Sequence, residues 1–99
     1  MYQRYKMQPS KLSGIQVRLA RTYLGLTVKD IEQETGLHKN TIMKAEAGLG
    51  TDKTLRTLRQ FFHAKSIRFI RTDDDRSAGI LYDLEDEIAL GEIEPVEAT

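Results

Sequence analysis

Residues 27–46, TVKDIEQETGLHKNTIMKAE, constrain the fold more than any other stretch of the chain. They predict a helix over about 28–35, a turn at Gly36 and another helix over about 39–47. Thr27 and Asp30 form a capping-box pattern before the first of these helices, and His38 precedes the second. Glycine at position 36 permits a left-handed backbone, in which the chain reverses without a Cβ clash. Two short helices joined by a tight turn are therefore expected.

Two further helices are predicted around this pair. Ser13 and Gln16 form a second capping-box pattern, which begins a helix over about 13–24, and Gly25 ends that helix. Its predicted buried stripe, at helical spacing, consists of Leu12, Ile15, Leu19 and Tyr23. A fourth helix is predicted from about 51 or 52 to 63, and its apolar face consists of Leu55, Leu58, Phe61 and Phe62.

The hydrophobic period changes after residue 65. Residues 66–71 alternate polar and apolar side chains, residues 72–77 are polar, and residues 78–84 predict a second, weaker strand. Residues 83–91 are a candidate acidic amphipathic helix. The fold class is therefore expected to be mainly α, with a β-hairpin and an acidic tail appended at the C-terminal end.

The formal net charge of zero conceals a strong asymmetry. Residues 1–72 hold 14 of the 15 Lys and Arg residues against five acids, a charge of +9, and residues 73–99 hold Arg76 against ten acids, a charge of −9. This distribution favours a nucleic-acid-binding body with an acidic tail, although chance scatter is an alternative. The chain has no cysteine and no apolar run near the ~20 residues of a membrane span, so we expect a cytoplasmic protein without a membrane partner.

Residues 12–62 resemble the helix-turn-helix domain of the Cro and phage-repressor (XRE) family. The matching residues are Arg21, Leu24-Gly25-Leu26-Thr27, Ile31, Gly36-Leu37, Thr41-Ile42 and Glu46-Ala47-Gly48. The resemblance implies a lambda-repressor-like bundle of four or five helices whose third helix enters the DNA major groove, usually in a homodimer. It also implies a structural ion pair between Arg21 and Glu46. The chain departs from the family at Val28, His38 and Ala47, where polar capping or phosphate-binding residues are usual.

The predicted organisation follows from these patterns. Residues 1–10 are a flexible basic arm, 11–64 the helix-turn-helix domain, 65–84 a β-hairpin and possible dimerisation element, and 85–99 an acidic tail, a short helix followed by disorder. Alternating apolar residues of the hairpin would bury one face against a second copy or cover the helices of the same subunit. The dimer candidates are Ile67, Phe69, Ile80 and Tyr82.

Candidate DNA contacts fall into two sets. By position in the family motif, the base-contacting candidates are Lys39, Asn40, Thr41 and Lys44. Lysine donates to guanine O6 and N7, and asparagine pairs with adenine N6 and N7. The phosphate-contacting candidates, which would make affinity salt-dependent, are Lys29, His38, Lys53, Arg56 and Lys11. The alternative is a basic helix face that is merely solvated.

The leading hypothesis is a sequence-specific DNA-binding transcriptional regulator, a repressor that acts as a homodimer on an inverted-repeat operator in double-stranded DNA. An antitoxin, or another protein-interaction module that binds a partner through the C-terminal hairpin or acidic tail, is the alternative. A third hypothesis is that residues 73–99 mimic DNA and compete for the basic face. No enzyme motif is present, and no metal or other cofactor is expected, since Asp73-Asp74-Asp75 is interpreted as a charged turn.

Overall fold

The computed structural model describes residues 4–7 and 11–84 of the chain. Over these residues it contains four helices and one three-stranded antiparallel sheet. The elements in chain order are β1 (Tyr5–Met7), α1 (Gly14–Leu24), α2 (Val28–Thr35), α3 (Lys39–Glu46), α4 (Asp52–His63), β2 (Arg68–Thr72) and β3 (Ala78–Leu81). The strand order in the sheet is β1-β2-β3, with β2 in the centre. The predicted acidic helix and tail lie outside the described residues from position 85 onward.

The helix boundaries follow from local capping chemistry. The Gln16 backbone N–H donates to Ser13 Oγ at 3.1 Å, and the Ser13 backbone N–H donates to Gln16 Oε1 at 3.0 Å. Thr27 and Asp30 make the same reciprocal pair at α2, so both predicted capping boxes are confirmed. Gly36 has a φ of 79°, in the left-handed region that its predicted role as a turn residue requires.

The main core lies where the four helices and the inner face of the sheet meet. Its largest fully buried apolar side chains are Ile31, Ile42, Leu58, Phe62, Ile67 and Phe69. The predicted apolar face of α4 is largely confirmed, because Leu55, Leu58 and Phe62 are buried. Ile31 of α2 and Ile42 and Ala45 of α3 are 0% exposed in the same core. Phe61 is only partly buried against this core.

The predicted buried stripe of α1 is wrong except at Leu12. Ile15, Leu19 and Tyr23 are 69%, 44% and 41% exposed, whereas Val17 and Ala20 are fully buried. The reason is the small separation between α1 and the end of α3. A Cβ built on Gly14 would lie 2.3 Å from the Glu46 carbonyl oxygen, so small residues have to line this contact.

The prediction of a flexible arm is wrong for residues 5–7. They form β1, whose register with β2 places Tyr5 opposite Thr72 and Met7 opposite Ile70. The Asp73 backbone N–H also donates to the Arg4 carbonyl oxygen at 3.0 Å. β1 therefore satisfies the backbone hydrogen-bonding groups of β2 on the side away from β3.

The predicted hairpin is present, and its apolar face packs within its own subunit. Ile67 and Phe69 are 1% and 0% exposed, and the Phe69 ring meets the Phe62 ring edge-on with centroids 6.0 Å apart. Ile80 packs against the core, and Tyr82 stacks on Tyr23 of α1 at 5.1 Å. This corrects the dimer prediction, since the face formed by Ile67, Phe69, Ile80 and Tyr82 covers the helices of the same chain. No described helix combines the length and apolar character needed to cross a membrane.

Candidate nucleic-acid interface

The N-terminal half of α3 presents a polar surface on a firmly packed helix. Ile42 and Ala45 are both 0% exposed and hold one side of α3 in the core. Lys39, Asn40 and Lys44 are exposed on the other side, as the sequence predicts for base-contacting residues. The fourth predicted residue, Thr41, is half-buried and offers less of its side chain to a ligand.

His38 begins α3 and shares its exposed surface. The Asn40 backbone N–H donates to His38 Nδ1 at 3.0 Å, so the ring nitrogen takes the role that a serine or aspartate oxygen plays in most N-caps. With Nδ1 accepting, the proton of the neutral ring is on Nε2. His38 Nε2–H is thus available to donate to an anion such as a phosphate oxygen, while the same ring caps the helix.

One guanidinium connects three helices at the other end of α3. Arg21 in α1 donates from Nε to Glu46 Oε2 at 2.6 Å and from Nη2 to Glu46 Oε1 at 3.1 Å. Its Nη1 donates to the carbonyl oxygen of Leu26, just before α2, at 3.1 Å. The Glu46 side chain is only 6% exposed, and this hydrogen bonding raises the pKa of Arg21 above its ordinary value.

This arrangement fixes the direction of α3. The predicted partners Arg21 and Glu46 form a bidentate pair, a geometry that specifies orientation as well as distance. Arg18, which the sequence left without a role, approaches Glu46 Oε1 at 3.5 Å and adds a second cation to the same carboxylate. The polar N-terminal half of α3 therefore projects from a helix that is tied to α1 at its C-terminal end and packed into the core through Ile42 and Ala45.

A second cationic surface lies along α4. Lys11, Asp52, Arg56 and Arg59 line one surface groove, with three cations surrounding a single carboxylate. Positions 52, 56 and 59 share one face of a helix, so their spacing is a sequence signal for Arg59, which was not among the predicted contact residues. The Arg71 Nη2 donates to the Lys11 carbonyl oxygen at 3.0 Å and holds the backbone there. Such a groove suits an anionic backbone.

The predicted phosphate-contacting residues are not all in this groove. Lys11 and Arg56 are, whereas Lys29, His38 and Lys53 are exposed but do not line it. Lys29 lies on α2, His38 caps α3 and Lys53 lies in the first turn of α4. The five predicted side chains are therefore spread over α2, the cap of α3, the first half of α4 and the segment before α1.

Two exposed apolar side chains near α3 were not predicted as contact residues. Met43 is 54% exposed on the helix, and Leu49 in the following loop is 72% exposed. The signal was available for Met43, because position 43 falls outside the stripe that buries Ile42 and Ala45. An apolar side chain beside polar ones is suited to contact a thymine methyl group.

Among residues 4–7 and 11–84, no three His, Asp or Glu side chains gather in a way that could hold a metal ion. Comparison of the chain with protein-family models, with curated proteins and with solved structures finds no match.

Proposed function

We propose that the chain is a sequence-specific DNA-binding protein of the helix-turn-helix class, with a lambda-repressor-like arrangement of its helices. In this proposal α3 lies in the major groove and the side chains of Lys39, Asn40 and Lys44 contact base edges. One observation carries the proposal. The N-terminal half of the eight-residue helix α3 is polar and exposed, and its C-terminal half is fixed to the rest of the fold through Glu46.

Anchoring matters because base contacts require accurate placement. Bidentate pairing of an asparagine with adenine, or two-point donation to guanine, fails when the helix shifts by a fraction of a hydrogen-bond length. The Arg21 guanidinium holds Glu46 at the C-terminal end of α3, and His38 caps its N-terminal end. A helix that is capped at one end, tied to α1 at the other and packed into the core supports base-specific contacts better than a merely solvated basic helix.

The flanking cations support the same proposal. Phosphate contacts supply register and most of the salt-dependent affinity, and base contacts supply specificity. Lys29, Lys53 and the groove residues Lys11, Arg56 and Arg59 provide the cations that a DNA backbone needs. Binding of a homodimer over a promoter would exclude other proteins, so repression by occupancy is the regulatory mode that we propose for a chain of this kind, acting in the cytoplasm.

The first step of the test is to identify a DNA ligand without assuming its sequence. Duplexes selected from a random pool by the full chain are aligned to find a shared site, and fluorescence anisotropy then compares this site with a shuffled duplex at several salt concentrations. We expect the selected duplex to bind at least ~10³-fold more tightly than the shuffled one, as specific sites do. Equal affinity at every salt concentration would contradict sequence-specific binding. Failure to bind either duplex would contradict DNA binding altogether.

A further inference from the structure

Met43 is an exposed apolar residue on the polar side of α3. Ile42 and Ala45 supply the core contacts of this helix and are 0% exposed, whereas Met43 is 54% exposed. The other exposed side chains of α3 are all polar. The exposed face of α3 is defined by its four exposed residues, Lys39, Asn40, Met43 and Lys44.

Helical spacing places Met43 beside Lys39 and Asn40. Met43 follows these residues by four and three positions, and side chains at such spacings are neighbours on a helix, with Cβ atoms about 5–6 Å apart. Helical side chains also lean toward the N-terminal end of their helix, so the thioether of Met43 covers the turn that carries Lys39 and Asn40. An apolar group therefore lies among the polar side chains that would meet base edges.

The exposed face of α3 is little used within its own subunit. Met43 lies outside the core and outside the partly buried apolar residues that pack against it. Among the described residues, no ion pair engages Lys39 or Lys44. Burial of an exposed thioether against another apolar group is favourable. A molecule that docks on this face therefore gains affinity by placing an apolar group against Met43.

The major groove of DNA offers such a group at its base edges. Thymine carries a C5 methyl group there, whereas guanine, adenine and cytosine present hydrogen-bond donors and acceptors. Lys39 and Asn40 match the donors and acceptors, and Met43 matches the methyl group. Thr41 also carries a methyl group, but its side chain is half-buried. Met43 is thus the best placed apolar partner for thymine on α3.

We propose that Met43 makes the protein select DNA sites with a thymine at a fixed position, through contact between its thioether and the thymine methyl group. The proposal rests on the proposed function, because it requires α3 to lie in the major groove. Successive base pairs are about 3.4 Å apart along the duplex, so neighbours about 5–6 Å apart on α3 reach base pairs one or two steps apart. The thymine should therefore lie within about two base pairs of the base that Asn40 contacts.

Replacement of single thymines by deoxyuridine tests the proposal, because deoxyuridine lacks only the methyl group. Each thymine of the duplex selected by the full chain is replaced in turn, together with its symmetry mate where the site is an inverted repeat. Fluorescence anisotropy measures the affinities. We expect replacement at one position to weaken binding about three- to fivefold per contact, as loss of one buried methyl group does. Replacement at the other positions should have little effect.

Variants at position 43 identify the side chain responsible. Glutamine matches methionine in length and helix propensity but ends in an amide, so Met43→Gln should bind the thymine and deoxyuridine duplexes with nearly equal affinity. Met43→Leu keeps an apolar group and should retain most of the discrimination. The matched control is Met7→Gln, at a methionine in β1 that is 51% exposed, and it should discriminate as the unsubstituted chain does. A circular dichroism melt of each variant verifies that the subunit remains folded.

Three results would overturn the proposal. They are a selected site without thymine within about two base pairs of the base that Asn40 contacts, a selected site in which no deoxyuridine replacement changes the affinity, and full discrimination by Met43→Gln. Each of these leaves sequence-specific binding intact, so the proposed function stands. A chain that binds no duplex at all refutes the proposed function and the thymine contact together.

Discussion

Gln16 Nε2 donates to the carbonyl oxygen of Gly79 at 3.0 Å, a bond between residues 63 positions apart in the chain. The same nitrogen donates to the Ile70 carbonyl oxygen at 3.0 Å, and Gln16 Oε1 accepts from the Ser13 backbone N–H. One side chain, 1% exposed, therefore completes the N-terminal cap of α1 and attaches that helix to two strands. This amide adds a buried polar attachment of the sheet to α1, beside the apolar contacts of Phe69 and Ile80 with the core.

Replacing Gln16 should destabilise the whole subunit. Gln16→Ala removes one hydrogen bond from each of two strand carbonyls and one from the Ser13 backbone N–H, and we expect a loss of about 2–4 kcal/mol in the free energy of unfolding. Gln16→Glu should cost more at neutral pH, because a carboxylate would face two carbonyl oxygens with no proton to donate. Urea denaturation measures both, with the exposed Gln33→Ala as control. Equal stability of Gln16→Ala and Gln33→Ala would contradict this role.

Gly14 should resist a substitution that normally strengthens helices. Alanine has a better helix propensity than glycine by about 1 kcal/mol, but its Cβ at position 14 would lie 2.3 Å from the Glu46 carbonyl oxygen. We expect Gly14→Ala to lower the free energy of unfolding by about 1–3 kcal/mol, as overpacking does. Thr22→Ala, at an exposed position of the same helix, should have a neutral or stabilising effect. Thermal unfolding of the two variants gives the comparison, and a stabilised Gly14→Ala would refute the close approach.

Arg21 and Glu46 should behave as a coupled pair. Glu46→Gln removes the charge but keeps an oxygen that can accept a hydrogen bond, and we expect a loss of about 2 kcal/mol, below the value for fully buried pairs because the Arg21 side chain is 22% exposed. Arg21→Lys should cost a similar amount, since lysine cannot make the two-point contact. A double-mutant cycle by urea denaturation measures the coupling. Strictly additive effects would show that the pair does not act as a unit.

Substitution of a base-contacting residue and of a phosphate-contacting residue should change DNA affinity in different ways. On the duplex selected by the chain, Asn40→Ala should cost about 1–3 kcal/mol at one base step and have little effect on a shuffled duplex. Lys53→Ala should weaken both duplexes alike and reduce the salt slope by about 1. Gln33→Ala on α2 serves as the matched exposed control. An equal loss on both duplexes for Asn40→Ala would remove this residue from base recognition.

Asp30 should make stability depend on pH. The Thr27 backbone N–H and then its hydroxyl hold the pKa of Asp30 below its ordinary value of 3.8. Because the folded pKa is the lower one, ionised Asp30 favours the folded state above pH 3.8, and this contribution disappears as the pH falls through the folded value. Asp30→Asn keeps an accepting oxygen without a titration. The gap between the two unfolding free energies should shrink from neutral to acidic pH, and parallel curves would contradict the prediction.

Local patterns in the sequence predicted the parts of the fold that local chemistry controls. The caps at Ser13, Thr27 and His38 were predictable because each satisfies backbone groups within three residues of itself. The buried face of α1 was not, because Ile15 and Val17 both lie at helical spacings and the choice between them depends on how closely α3 approaches Gly14. Three-residue β1 was also missed, since its pairing partner is more than 60 positions away.

The candidate interface also contains residues that local sequence could predict and residues that it could not. Lys39, Asn40 and Lys44 were placed correctly on the exposed side of α3 by their positions relative to Ile42 and Ala45. The helical spacing of Arg56 and Arg59 could have placed Arg59 on the cationic face of α4, but the participation of Lys11, which the fold brings into the same groove from outside α4, could not be read from local sequence. Clusters of side chains from distant segments can be identified only once the tertiary structure is known.

The pairing of β1 with β2 has a consequence for how the chain folds as it is synthesised. The four helices of the described ranges end at His63, so all of them leave the ribosome before β2 does. Residues 5–7 can pair only after residues 70–72 have been synthesised. This pairing closes a loop of more than 60 residues, and the conformational entropy lost is not offset by local contacts. The sheet should accordingly be the last element to form.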